Sequence, residues 1–138
     1  MKTVLFLLCL GCTQALAQTP PNWFTVLGDR ADPSLNTIEV DPAPLDIHGA
    51  ERTLGVRVSR SAPRTSWDGV PYRSYYATVL FNCTDGKAHY LSLTFYNQPL
   101  WKGPPHQTST YSRDNPRPML FLDVEPNPTQ RIIKAACA

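Results

Sequence analysis

A chain of 138 residues has the size of one domain. A net charge of +2 with only 17% charged residues is too small to imply a nucleic-acid groove or a membrane-seeking basic face. The 14 prolines weigh against a helical bundle, because each removes a backbone donor and restricts the residue before it. The Ile, Leu, Val and Phe content weighs against disorder, which leaves a β-rich domain with proline-punctuated loops.

The chain opens MKTVLFLLCLGCTQALAQTPP. Lys2, the apolar run Val4 to Leu10 and the small-residue Ala15-Leu16-Ala17 form the pattern of a secretory signal peptide. Residues 1–17 are therefore expected to be removed, leaving residues 18–138 as a single exported domain. A rival reading takes Gly11-Cys12 as the end of a lipoprotein box, with a lipid anchor on Cys12. The residue three before it is Cys9, where such boxes usually carry leucine. Val4 to Leu10 is too short to span a bilayer and no later run approaches the needed length, so no transmembrane segment is expected.

Several segments then alternate in the manner of strands. WFTVLGD, from Trp23 to Asp29, is the first, and TIEVD places Ile38 and Val40 on one face before Pro42 closes it. PAPLDIHGAE reads as connection. RTLGVRVS carries Leu54, Val56 and Val58 on one face, and RSAPRTSWDGVP reads as a loop broken by Pro63, Gly69 and Pro71. In YRSYYATVLFNCTDGKAHYLSLTFYN, the odd positions Tyr75 to Cys83 and Leu91 to Phe95 form two apolar sets. A two-residue Asp85-Gly86 turn would put these sets on opposite faces. A three-residue loop, Thr84 to Gly86, keeps them together and uses Gly86 for the left-handed position. That register pairs Val79 with Leu91 and Ala77 with Leu93, and leaves Tyr76, Tyr90 and Tyr96 on the other face.

PLWKGPPHQTSTYSRDNPRP reads as a long irregular loop, and MLFLDVE as a further strand with Leu120, Leu122 and Val124 to one side. In NPTQRIIKAACA, Asn127 is suited to cap a helix, Pro128 to its first position, and Gln130 completes a pattern resembling a capping box. Ile132, Ile133, Ala136 and Cys137 form one stripe of that helix. Cys9 and Cys12 belong to the signal, so an exported domain keeps Cys83 and Cys137, which most simply form one disulfide. The fold class expected is α+β: an antiparallel β-sheet with a C-terminal α-helix packed on one face and stapled by that bridge.

Catalytic chemistry has little support. His48, His89 and His106 are scattered, and there is no G-x-S-x-G elbow, P-loop or G-x-G-x-x-G. Two thiols and three separated histidines show no zinc spacing, so neither cofactor nor metal is expected. Binding has more. Trp67, Tyr72, Trp101 and Tyr111 lie in the two long loops among Arg64, Arg73, Lys102 and Arg113, and these are the residue types of interface hot spots. With Tyr76 and Tyr96 they make a candidate binding surface for a protein partner or a second copy of the chain. The competing reading has the same rings covering a small second core under the loops.

The runs VPYRSYYATVLFNC, YLSLTFYNQPLWKG and RPMLFLDVEPNPTQRIIKAAC together resemble the surface-adhesin E family of Gram-negative bacteria. The resemblance spans Trp67 to Cys137 and implies a small exported domain with an antiparallel sheet, a C-terminal helix and a disulfide. It further implies adhesion to host extracellular-matrix proteins such as vitronectin or laminin. It assigns no individual binding residue. The alternative function is a periplasmic accessory or inhibitor protein with no adhesive role, which the A-x-A site accommodates.

Overall fold

The computed structural model describes residues 22–138. The signal-peptide reading and Cys9 and Cys12 lie outside the described residues. Eight strands and one helix follow in order. They are β1 (Phe24–Leu27), β2 (Thr37–Val40), β3 (Asp46–His48), β4 (Glu51–Thr65), β5 (Pro71–Asn82), β6 (Lys87–Tyr96), β7 (Gln107–Thr110), β8 (Arg117–Pro118) and α1 (Thr129–Ala136). They form an antiparallel sheet in the order β1-β2-β4-β5-β6-β7, with β3 paired to β4 and β8 to β6.

Alternation builds the core. Ile38 and Val40 of β2, Leu54, Val56 and Val58 of β4, Ala77, Val79 and Phe81 of β5, and Leu93 and Phe95 of β6 share one buried cluster. The register places Val56 beside Ala77 and Ala77 beside Leu93, so these side chains line up across the sheet. Ile132, Ile133 and Ala136 of α1 complete the cluster. At eight residues, α1 would be marginal alone, and this burial with the Cys83–Cys137 bridge holds it. The bridge spans a Cα–Cα distance of 5.7 Å.

Several local expectations are corrected. The β5–β6 hairpin pairs Ala77 with Leu93 as expected, but Val79 faces Tyr90, not Leu91. A bulge at Leu91 takes up the odd residue that the three-residue loop was meant to supply. The loop itself has four residues, Cys83 to Gly86, with Gly86 left-handed at φ 64° and its N–H donating to the Asn82 carbonyl at 2.9 Å. MLFLDVE is not a strand: Met119 and Phe121 point inward, Leu120 and Leu122 outward, and Phe121 has φ 45°. That left-handed residue breaks the two-residue period, so Val124 is also buried. Pro118 and Pro126 flank the segment, and neither can donate to a ladder.

The segment expected as a loop from Arg60 onward instead extends β4 to Thr65, and the turn is confined to Ser66–Gly69. The capping box is also absent. Asn127 Oδ1 accepts from the Thr129 N–H at 2.9 Å, whereas the Gln130 side chain reaches the Gly86 carbonyl.

Candidate functional site

The six candidate aromatic residues fall into two groups on opposite faces of the sheet. Tyr76, Tyr96 and Trp101 lie on the face away from α1. The long loop after β6 folds onto that face through a single-turn 3-10 segment, Pro99–Trp101. The Ser74 hydroxyl donates to the Gln98 carbonyl at 2.6 Å and accepts from the Trp101 N–H at 3.0 Å. The Trp101 indole N–H is shared between the carbonyls of Tyr75 at 2.9 Å and Val58 at 3.2 Å. The Arg57 guanidinium is held between two indoles, 4.0 Å from the Trp101 centroid and 4.4 Å from that of Trp23.

Beneath them Glu39 is 0% exposed and pairs with Arg57 at 3.0 Å and Arg30 at 2.6 Å. Tyr76 packs edge-on against Trp23 and leans over Gly55, where an added Cβ would stand 2.9 Å from its hydroxyl. This is a second, small core of aromatic and paired charged groups. Burial pushes the Arg57 guanidinium pKa down, against the opposing pull of Glu39.

Trp67, Tyr72 and Tyr111 gather on the other face, at the end of the sheet that the segment after β8 covers. Trp67 is 50% exposed, stacks on Tyr111 with ring centroids 6.3 Å apart, and tilts against Tyr90 at 5.7 Å. Tyr111 donates to Asp68. Tyr72 is only 8% exposed; it packs on Tyr75 and Phe95 and supports the surface from below. The Leu91 bulge brings Tyr90 to this face, where its hydroxyl meets that of Tyr75 at 2.7 Å. Tyr90 was expected on the other side of the sheet.

Between β4 and the segment after β8 lies a cavity of about 260 Å³. Trp67, Leu120 and Leu122 stand at its rim, the two leucines 46% and 77% exposed. Tyr72, Tyr75 and Arg60 form its walls. Arg60 continues the even-numbered face of Val56 and Val58 and is buried at its end. Arg60 and Arg64 both pair with Asp123 Oδ2, at 3.1 and 2.6 Å. Sequence reasoning assigned neither leucine, Arg60 nor Asp123 to a site. The alternation from Val58 to Arg60 was the available signal for Arg60. The flanking prolines were the signal that Leu120 and Leu122 are not on a strand.

The tyrosines of this face set an alkaline limit. Burial, then the hydrogen bond and charge of Asp68, raise the Tyr111 pKa to about 12. Burial also pushes Tyr75 and Tyr90 above the range of an ordinary phenol. In the unfolded chain each ionises near its ordinary value of about 10. Their contribution to stability is therefore complete below about pH 10 and is lost as pH climbs through 12 and above. We expect the melting temperature to drop steeply above about pH 10, with part of the tyrosinate absorbance at 295 nm appearing only on unfolding. Six tyrosines ionising together near pH 10 without loss of structure would contradict this.

The family model for Surface-adhesin protein E matches residues 23–138. Neither the curated proteins nor the solved structures contain a significant match. No helix among the described residues is long and apolar enough to cross a membrane. Over a span that takes in every described strand, α1 and the disulfide, the chain belongs to the surface-adhesin protein E family.

Proposed function

We propose that this protein is an exported, non-enzymatic adhesin that contacts host extracellular-matrix proteins through the face around Trp67. The observation that carries the reading is the rim of exposed Trp67, Leu120 and Leu122 around one cavity, in a chain of an adhesin family. A tryptophan beside apolar neighbours, over a wall of fixed tyrosines, has the composition of an interface hot spot with an ordered foundation. Tyr76, Tyr96 and Trp101 support the fold in this reading, because the loop bonds and the Arg57 sandwich already occupy that face.

The test is binding of the purified protein to immobilised vitronectin and laminin across a concentration series. Saturable binding at micromolar protein supports the adhesin reading. A signal that only rises linearly, equal to that on an albumin-coated surface, overturns it. A protein confined to the periplasm would also be unable to adhere. Antibody labelling of intact cells, with a periplasmic protein as negative control, distinguishes that case: labelling only after permeabilisation contradicts surface adhesion.

A further inference from the structure

We propose that the Trp67 cavity recognises an acidic side chain flanked by apolar residues on a partner protein. This rests on the binding-face reading above and specifies the chemistry of its partner. The charges around the cavity do not cancel. Arg60 and Arg64 share one oxygen of one carboxylate, Asp123 Oδ2. On the adjoining side Arg117 and Asp68 face one another at 3.9 Å. Three guanidinium groups against two carboxylates leave one positive charge.

Part of that excess is shielded from water. Arg60 is 7% exposed, and its Nε–H is buried with no hydrogen-bond partner. A buried charge without full pairing is costly, and an incoming carboxylate offsets the imbalance. Arg64 stands at the entrance with its side chain 43% exposed, placed to bond such a group directly.

The rim selects what surrounds the carboxylate. Trp67, Leu120 and Leu122 present apolar surface, so apolar neighbours of the acid gain burial while polar neighbours do not. The volume of about 260 Å³ is below the range of about 300–1,000 Å³ usual for whole small-molecule ligands. It suits a side chain presented by a protein. A basic partner meets the net positive charge of the cluster and is disfavoured.

The experiment uses the full chain, ¹⁵N-labelled and purified from an exporting host. It is titrated with a capped peptide carrying one glutamate between apolar residues, and with the glutamine twin of that peptide. Both titrations are followed through the tryptophan indole and arginine Nε–H signals. The glutamate peptide is expected to move the Trp67 indole signal and to bind at least about fivefold more tightly than the glutamine twin. Arg64→Gln should bring the two peptides within about twofold, and added salt should do the same.

Equal affinities in low salt overturn the proposal. So does an unmoved Trp67 signal with both peptides up to about 5 mM, where even millimolar affinities register. The two readings fail separately. Saturable matrix binding with equal peptide affinities removes the acidic specificity alone. Glutamate-selective binding without matrix binding keeps the site and removes the matrix partner.

Discussion

Replacing Cys83 and Cys137 together by serine is expected to lower the unfolding free energy by about 4 kcal/mol at 25 °C, the entropy of releasing a closed loop of this length. The bridge joins residues 54 apart in sequence and fixes a helix of eight residues at the end of the chain. Other polar ties to this end are few: Thr129 Oγ1 and Asn127 Nδ2 donate to the Leu120 carbonyl at 2.7 and 2.8 Å. The Arg52 guanidinium donates to the carbonyls of Ala136 at 3.4 Å and Ala138 at 3.1 Å, and Gln130 reaches Gly86 at 3.4 Å. With the bridge gone, α1 depends on those bonds and on burying Ile132, Ile133 and Ala136. Loss of stability should therefore be accompanied by early loss of helix signal. Urea unfolding followed by circular dichroism, with and without reductant, measures both. A midpoint unchanged by reduction would show that the helix and loop hold without the covalent tie.

Glu39→Ala is expected to cost about 3 kcal/mol, the scale for leaving a buried ion pair without one partner. Glu39 is fully buried on β2 and holds Arg57 and Arg30. Removing it leaves the Arg57 guanidinium between the Trp23 and Trp101 rings with its positive charge unopposed. Arg30 is half exposed and turns to water at small cost, which keeps the expected loss toward the lower end for such pairs. Arg57→Met, combined with Glu39→Leu, should recover much of the loss, because an apolar pair of similar volume needs no counter-charge. Thermal unfolding of the single and double variants checks this. A single variant as stable as the wild type would mean that the cluster contributes nothing net.

The sheet was legible wherever two apolar sets had to share a face. Leu54, Val56 and Val58 share a face by alternation, and in the structure they pair with Val79, Ala77 and Tyr75 in the same buried layer. Parity in the hairpin gives the right partner for Ala77 and the wrong one for Val79. Parity can be restored by a longer loop or by a bulge, and periodicity alone does not choose between them. Tyr90 was misplaced for the same reason, and with it one wall of the Trp67 cluster.

MLFLDVE was misread because Leu120 and Leu122 alternate with Met119 and Phe121, so either set could face inward. The left-handed Phe121 and the neighbouring prolines decide the matter. The helix and its staple were legible from cysteine count and the apolar stripe, while the helix starts one residue later than expected, with Pro128 and not Asn127 at the cap position. Of the six aromatic residues proposed for binding, Trp67 and Tyr111 come together, Tyr72 lies beneath them, and Trp101, Tyr76 and Tyr96 belong to the opposite face. A loop's aromatic content shows that it has something to cover or to contact; which of the two depends on where the loop folds back. For Trp101 the loop folds back onto the sheet, where the Leu100 and Trp101 N–H groups donate to the Ser59 and Ser74 hydroxyls.

The most direct measurement compares matrix-protein binding by wild type, Leu122→Asp and Tyr96→Ala. Leu122 is 77% exposed, so its replacement should leave stability within about 0.5 kcal/mol of wild type. A charge placed on the apolar rim should still weaken binding by at least about tenfold, as loss of a hot-spot contact does. Tyr96→Ala, on the opposite face, should bind as wild type does. Unchanged binding by Leu122→Asp, or loss of binding confined to Tyr96→Ala, would place the adhesive surface on the other side of the sheet and contradict the account.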